Sequence, residues 1–190
     1  MEIGIWGDSI TYGKCDSEGL GWVGRVRKSF SIDDRTGVYN RGVCGDTTED
    51  LLKRFAIEVE SIHPNTILFA IGINDSKYPL DKEDNRVPLD EFKQNMQTLI
   101  DKAKRYTDRV LIAGATKVNE GALKSQSRFT NEQIGIYNET LKEVAKRNEL
   151  AFIDTFDVLD IDTDLHDGLH PNAEGYAKLA EVISKSIPAV

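Results

Sequence analysis

The chain has 190 residues, and its 24 Lys and Arg against 32 Asp and Glu give a formal charge of −8, which argues against a nucleic-acid partner. This length predicts one domain over residues 1–190 that buries its core without disulfides, and the two cysteines are expected to be reduced thiols. No apolar run approaches the roughly 20 residues that cross a bilayer, and the N-terminus has no secretory signal, so we expect a cytoplasmic protein without a membrane span.

Five short apolar runs are predicted to be strands. Each is rich in Ile, Val or Phe, which is typical of strands that are buried on both faces of a sheet. In chain order the runs are Ile3–Trp6, Val38–Val43, Thr66–Ile71, Val110–Ala113 and Ala151–Ile153.

The stretches between these runs have the apolar spacing of helices. The predicted helices are Leu20–Phe30, Asp46–Val59, Leu89–Tyr106, Thr130–Arg147 and Asn172–Ile187. Two of them are predicted to begin with a capping box, one formed by Asp46 and Glu49 and the other by Thr130 and Gln133. The alternation of strands and helices predicts an α/β fold with a five-stranded parallel sheet and helices on both of its faces.

Polar clusters follow the predicted strands. Gly7–Ser9 follows the first strand, Gly42–Asp46 the second and Gly72–Asp75 the third, while Asp167–His170 lies beyond the fifth. Because parallel strands end at one edge of the sheet, we expect all four clusters at that edge, where ligands bind in such folds. Together they supply a hydroxyl, a histidine near a carboxylate, a side-chain amide and an accessible glycine backbone. These are the groups that acyl transfer requires.

The four clusters, in this order, resemble the sequence blocks of the GDSL, or SGNH, hydrolase family of esterases, lipases and thioesterases. The blocks are Gly-Asp-Ser-Ile at 7–10, Gly-Asp-Thr-Thr at 45–48, Gly-x-Asn-Asp at 72–75 and Asp-x-x-His at 167–170. They extend over nearly the whole chain. The resemblance implies a flavodoxin-like three-layer α/β/α sandwich. It also implies a serine hydrolase without metal or cofactor that cleaves small carboxylic esters or thioesters.

The same resemblance implies a role for each site residue. Ser9 is the nucleophile that forms an acyl-serine intermediate, His170 is the base and Asp167 orients it. The backbone N–H groups of Ser9 and Gly45 and the side-chain amide of Asn74 form the oxyanion hole. The chemistry fits these residue types, because a serine hydroxyl needs a base with a pKa of about 6.5 and a carboxylate fixes the imidazole tautomer. One tight turn would bring Asp167 and His170 to the same side.

Each of these residues also has a structural interpretation. Ser9 could cap the helical turn after the first strand, and residues 167–170 could form a polar turn before the last helix. Gly45 could be a turn glycine, and Asn74 could hydrogen-bond within its own loop. The presence of all four blocks in one chain favours the catalytic interpretation.

Other polar residues near these blocks are expected to have lesser roles. His166 is a rival base, but it adjoins Asp167 and adjacent side chains usually diverge. Asp46 and Asp75 are expected to brace their loops. Three alternating acids resemble a calcium loop, but the glycine and the final glutamate of such a loop are missing, so no metal site is predicted. These acids are Asp160, Asp162 and Asp164.

Cys44 departs from the pattern, because the family usually has a small residue there, often serine. It could be a second nucleophile or could pair with Cys15, but we expect a small buried filler.

Two loops are longer than a connection requires, Ser76–Pro88 and Lys117–Phe129. Both are expected to leave the carboxyl edge of the sheet. The family resemblance implies that they contact the acyl and leaving groups. Their polar composition favours a short acyl group on a sugar or another polar alcohol over a long-chain lipid.

Two other functions fit part of the pattern. A flavodoxin-like phosphate- or nucleotide-binding module could hold a phosphate with residues 8–13, but it would leave Asn74 and His170 without a role. A catalytically silent interaction protein could use the same scaffold. An activated serine distinguishes the hydrolase from both alternatives.

Overall fold

The computed structural model describes residues 1–30, 35–79, 84–123 and 128–187. Within these ranges it contains one five-stranded sheet in which every pairing is parallel. The strand order β2-β1-β3-β4-β5 is that of flavodoxin-like sheets, so the predicted α/β class and parallel sheet are confirmed. The strands are β1 (Glu2–Gly7), β2 (Gly37–Gly42), β3 (Thr66–Ala70), β4 (Val110–Ala113) and β5 (Ala151–Ile153).

Six helices lie in the described ranges. The first is a single turn directly after β1, and the others connect or follow the strands. They are α1 (Ser9–Tyr12), α2 (Gly21–Ser29), α3 (Thr48–Ile62), α4 (Leu89–Ala103), α5 (Asn131–Arg147) and α6 (Ala173–Ser186). No helix among the described residues has the length and apolar character that crossing a membrane requires.

The helices cover both faces of the sheet and form two hydrophobic cores. Alternate residues of β1 point to opposite faces. Ile3 and Ile5 pack with residues of α2 and α6, whereas Trp6 packs with residues of α3 and with β3. Trp6 is fully buried, and its ring lies edge-on to Phe55 with 4.9 Å between ring centroids. Because β1 lies between β2 and β3 and is covered on both faces, its carboxyl end is a fixed position.

The predicted start of α3 is wrong. Its N-cap is Thr47, whose hydroxyl accepts from the backbone N–H of Asp50 while the Asp50 carboxylate accepts from the backbone N–H of Thr47. Asp46 does not cap the helix because its carboxylate accepts a hydrogen bond from Arg54 at 2.7 Å. Of the capping box predicted for α5, one hydrogen bond is present, since the Thr130 hydroxyl accepts from the backbone N–H of Gln133. Within the described ranges the backbone N–H of Thr130 does not donate to the Gln133 side chain in return.

Candidate active site

Ser9 lies at the carboxyl end of β1, in the first turn of α1. Asp8 is the N-cap of this turn, and its carboxylate accepts from the backbone N–H of Ile10 at 2.9 Å. Ser9 is only 6% exposed, and it lines a crevice at this edge of the sheet. The serine is therefore held by a rigid strand and a capped turn, with its side chain at the crevice.

A closed loop presents the predicted carboxylate and histidine. An antiparallel bridge between Leu165 and Pro171 joins the two ends of this loop. Inside it, the Asp167 carboxylate accepts from the backbone N–H groups of Leu169 at 3.1 Å and His170 at 2.8 Å. The tight turn that the three-residue spacing predicts is present, and it fixes Asp167 against the histidine.

The structure brings Ser9, His170 and Asp167 together. The Ser9 Oγ lies 2.9 Å from His170 Nε2, and His170 Nδ1 lies 2.9 Å from Asp167 Oδ2. The serine and the histidine are 161 residues apart in sequence. His166, the rival base, is exposed and does not line this crevice.

The environment lowers the pKa values of both Asp167 and His170, for different reasons. Burial alone would raise the pKa of Asp167, but hydrogen bonds from the backbone and ring of His170 outweigh it and hold the pKa at about 2. Burial lowers the pKa of His170 below 6.5, and the neighbouring Asp167 only partly opposes this. At neutral pH the carboxylate is therefore charged and the imidazole is neutral, which is the state of a general base.

The three predicted oxyanion donors share one crevice with the Ser9 hydroxyl. Ser9, Gly45 and Asn74 all line the crevice. Within the described ranges, the backbone N–H groups of Ser9 and Gly45 donate to no protein acceptor. Asn74 is buried, and its Nδ2 donates one hydrogen to the carbonyl of Asp46 at 3.0 Å, which leaves its second hydrogen free. Gly45 has a φ of 85°, a conformation that side chains disfavour.

Buried carboxylates brace the loops behind these donors, as the sequence predicts for Asp46 and Asp75. Asp75 accepts from the backbone N–H and the hydroxyl of Thr48 at the start of α3. Burial raises the pKa of Asp75 to about 6 and that of Asp8 to about 7. Arg54 binds Asp46 and also donates to the carbonyl of Gly7 at 3.2 Å. Arg54 thus links the ends of β1 and β2, a role that helical spacing does not reveal.

Gly168 packs tightly against the loop after β4. Its φ is 84°, and an added Cβ would lie 2.9 Å from backbone atoms of Asn119, Ala122 and Leu123. The Asn119 N–H also donates to the Gly168 carbonyl at 2.9 Å. A glycine between Asp167 and His170 therefore lets the two loops come into direct backbone contact.

The crevice has a volume of about 290 Å³. The loops after β3 and β4 meet beside it, because Tyr78 and Arg128 form an antiparallel bridge. The predicted loops Ser76–Pro88 and Lys117–Phe129 therefore reach one another, although residues 80–83 and 124–127 lie outside the described ranges. Besides the predicted site residues Ser9, Gly45, Asn74, Asp167 and His170, the lining contains Lys14, Cys44, Lys77, Leu123, Phe129 and Leu169.

The expectation that Cys44 is a buried filler is wrong. Cys44 is exposed and lines the crevice, because it follows β2, a strand at the edge of the sheet that pairs only with β1. Cys15 lies next to the loop that carries Asp167, where its Sγ is 3.9 Å from Asp167 Oδ2. Both cysteines are free thiols, so the possible disulfide between them is not formed.

The acids that resemble a calcium loop bind protein donors instead. Asp164 pairs with Lys178 at 2.8 Å, and Asp162 accepts from Asn119 at 3.0 Å.

Elsewhere in the described ranges, one thiol, one carboxylate and one imidazole nitrogen approach within 4.8 Å of one another. They belong to Cys15, Asp167 and His170, and the carboxylate and imidazole are already hydrogen-bonded to each other.

The sequence model of the GDSL-like lipase/acylhydrolase family matches residues 5–178. The chain belongs to this family. It is therefore a carboxylic ester hydrolase, and an acyl-serine mechanism is typical of the family. The resemblance seen in the four sequence blocks is thus confirmed.

Individual known proteins also resemble the chain over most of its length. An acetylxylan esterase from Geobacillus stearothermophilus is 26% identical over 95% of this chain and 91% of its own length. A multidomain esterase from Ruminococcus flavefaciens is 27% identical over 92% of this chain, which corresponds to 27% of that longer protein. The crystal structure of the lipase/acylhydrolase from Enterococcus faecalis has a TM-score of 0.81 and 28% identity, covering 98% of this chain and 94% of that one.

Proposed function

We propose that this GDSL-family hydrolase cleaves short acyl esters of polar alcohols, with Ser9 as nucleophile, His170 as base and Asp167 as the residue that orients the base. The observation that carries the proposal is the pair of 2.9 Å contacts that joins the Ser9 hydroxyl to His170 and His170 to Asp167. This arrangement matches the geometric requirement for an activated serine.

The proposed reaction has two halves. As the Ser9 Oγ attacks the acyl carbon, His170 Nε2 takes the serine proton and the carbonyl oxygen becomes an oxyanion. The imidazolium then gives that proton to the departing alcohol, which leaves an acyl-serine. A water molecule repeats the attack with His170 again as base, releasing the acid and restoring the serine.

The oxyanion is proposed to bind three hydrogen-bond donors, the N–H groups of Ser9 and Gly45 and the free Nδ2 hydrogen of Asn74. The hydrogen bond from Asn74 to the carbonyl of Asp46 holds the amide in place before substrate binds. A pre-oriented donor stabilises the transition state without reorganisation, and one such donor contributes roughly 10²–10³ in kcat.

The substrate class follows from the size and lining of the crevice. A volume of about 290 Å³ suits a short acyl group, and the lining mixes the apolar side chains of Leu123, Phe129 and Leu169 with polar ones. The relative from Geobacillus stearothermophilus is an acetylxylan esterase, so acetyl esters of carbohydrate hydroxyls belong to the proposed class.

Labelling with a fluorophosphonate tests the proposed nucleophile. Only a serine that a neighbouring base activates reacts rapidly, so mass spectrometry should find one adduct, on the peptide that contains Ser9. The His170→Ala variant should react far more slowly, because it retains the hydroxyl but lacks the base. An unlabelled Ser9 in a folded protein would instead support a binding module or a silent interaction protein.

The pH dependence of hydrolysis tests the proposed base. Since His170 acts in its neutral form and burial lowers its pKa below 6.5, kcat/KM should rise with pH through a midpoint below this value and be level at neutral pH. The measurement is kcat/KM for 4-nitrophenyl acetate across the acidic and neutral range. A profile without this rise, or a rise confined to alkaline pH, would contradict the assignment.

A further inference from the structure

The crevice around Ser9 has a different charge from the chain as a whole. The chain carries −8, but two lysines, Lys14 and Lys77, are among the residues that line the crevice. The one carboxylate in that lining, among the described residues, is Asp167, which is hydrogen-bonded to His170. The substrate therefore meets a local surplus of positive charge.

Neither lysine has an acidic partner in the described part of the chain. Six other lysines there do form ion pairs with carboxylates, namely Lys53, Lys93, Lys117, Lys142, Lys178 and Lys185. The carboxylates closest in sequence to the crevice residues bind other groups. Asp8 accepts from the backbone N–H of Ile10, Asp16 pairs with Arg25, Asp46 pairs with Arg54, and Asp75 binds the start of α3.

Lys77 brings a positive charge into the crevice lining. It is partly buried in the loop after β3, and its Nζ lies 5.6 Å from the centroid of the Phe129 ring, which also lines the crevice. Burial lowers the pKa of Lys77, and the positive charge of Arg86 lowers it further. A negative group next to Lys77 would offset both effects.

Lys14 contributes positive charge from another side of the site. It follows α1, and its backbone N–H donates to the carbonyl of Ser9 at 3.0 Å, so the position of its main chain is tied to the nucleophile. Its charge also contributes to lowering the pKa of His170, after the larger effect of burial. Lys14 and Lys77 therefore act on the same small volume from different loops.

We propose that this crevice selects esters that carry one negative charge near the scissile bond, and that Lys14 and Lys77 bind this charge. The inference rests on the proposed function and narrows its substrate class from polar esters to anionic ones. The charge could belong to the acyl group or to the alcohol, and the two cases use the same lysines.

Two matched pairs of substrates separate these cases. For the acyl side, 4-nitrophenyl hydrogen glutarate is compared with its uncharged methyl ester. For the alcohol side, 3-acetoxybenzoate is compared with methyl 3-acetoxybenzoate. Hydrolysis without enzyme is subtracted, and each pair gives one ratio, kcat/KM for the anionic ester over kcat/KM for the neutral ester.

The ratio is expected to be about tenfold or more in at least one pair, because positive charge in the crevice lining favours the anionic ester over an uncharged one of similar shape. In the Lys14→Gln, Lys77→Gln double variant the ratio should fall towards one. Using a ratio cancels any effect that the substitutions have on both substrates alike. The matched control is Lys142→Gln, which removes one charge from α5, outside the crevice lining, and should keep the ratio of the parent protein.

Two results would overturn the inference: ratios near or below one in both pairs, or a ratio that survives in the double variant. With either result, the proposed function stands if the neutral esters are still hydrolysed and Ser9 is still labelled. If no ester is hydrolysed and Ser9 is not labelled, the proposed function and the inference both fail.

Discussion

Replacing Ser9 by alanine is expected to lower kcat for 4-nitrophenyl acetate by about 10⁴-fold or more. The substitution removes the oxygen that forms the acyl-enzyme, and no other hydroxyl among the described residues lies within hydrogen-bonding distance of His170 Nε2. The measurement is kcat at saturating substrate, with unfolding temperature as a check on the fold.

A matched control for this variant is Ser61→Ala. Ser61 is an exposed serine near the end of α3, and its hydroxyl donates only to a carbonyl of the same helix. We expect this variant to keep the activity of the parent protein. Substantial hydrolysis by a folded Ser9→Ala protein would refute the proposed nucleophile, because the hydrogen-bond donors that remain in the crevice cannot form a covalent intermediate.

Replacing Asp167 by asparagine is expected to lower kcat by roughly 10³–10⁴-fold. In the parent protein Asp167 Oδ1 accepts two backbone N–H groups and Oδ2 faces His170 Nδ1. The amide oxygen of asparagine would take the place of Oδ1, so its NH₂ group would face Nδ1. Nδ1 would then have to accept a hydrogen bond, and the ring proton would move to Nε2, where it prevents the histidine from taking the serine proton.

The control for this variant is Asp101→Asn, on α4, where an exposed carboxylate accepts a hydrogen bond from Gln97 that an amide oxygen can also accept. We expect its kcat to equal that of the parent protein. Because the substitution at Asp167 acts through the tautomer, its effect should appear mainly in kcat and much less in KM. An Asp167→Asn protein with parental kcat would show that the carboxylate does not orient the base.

Much of the fold could be predicted because its determinants are local. Runs such as Val110–Ala113 are apolar, short and bounded by polar residues, so strand positions follow directly from hydrophobic patterning. The position of Ser9 follows from the parallel sheet, since β1 ends at the carboxyl edge, but His170 lies beyond β5 and reaches Ser9 through the loop that the Leu165–Pro171 bridge closes. Their distance of 2.9 Å is a property of the folded chain that no spacing in the sequence contains.

The features that sequence analysis missed depend on contacts between distant residues. Asp46 has the residue type of a helix cap, but Arg54 takes its carboxylate and the cap moves to Thr47. The exposure of Cys44 depends on β2 being an edge strand, which is a matter of strand order. The shared crevice of Lys14 and Lys77 likewise depends on where two loops end in space.

Because Gly168 packs closely against the loop after β4, one backbone contact supports both a part of the crevice lining and the loop that carries Asp167 and His170. Leu123 lines the crevice, and its backbone belongs to the segment that Gly168 contacts. Gly168 itself lies between Asp167 and His170 in the sequence. Shortening or lengthening that segment to admit a different ester would displace the peptide next to His170, the proposed base. Exchanging the side chains at Leu123 or Phe129 is therefore expected to change substrate specificity with less disturbance of Asp167 and His170 than a change in loop length.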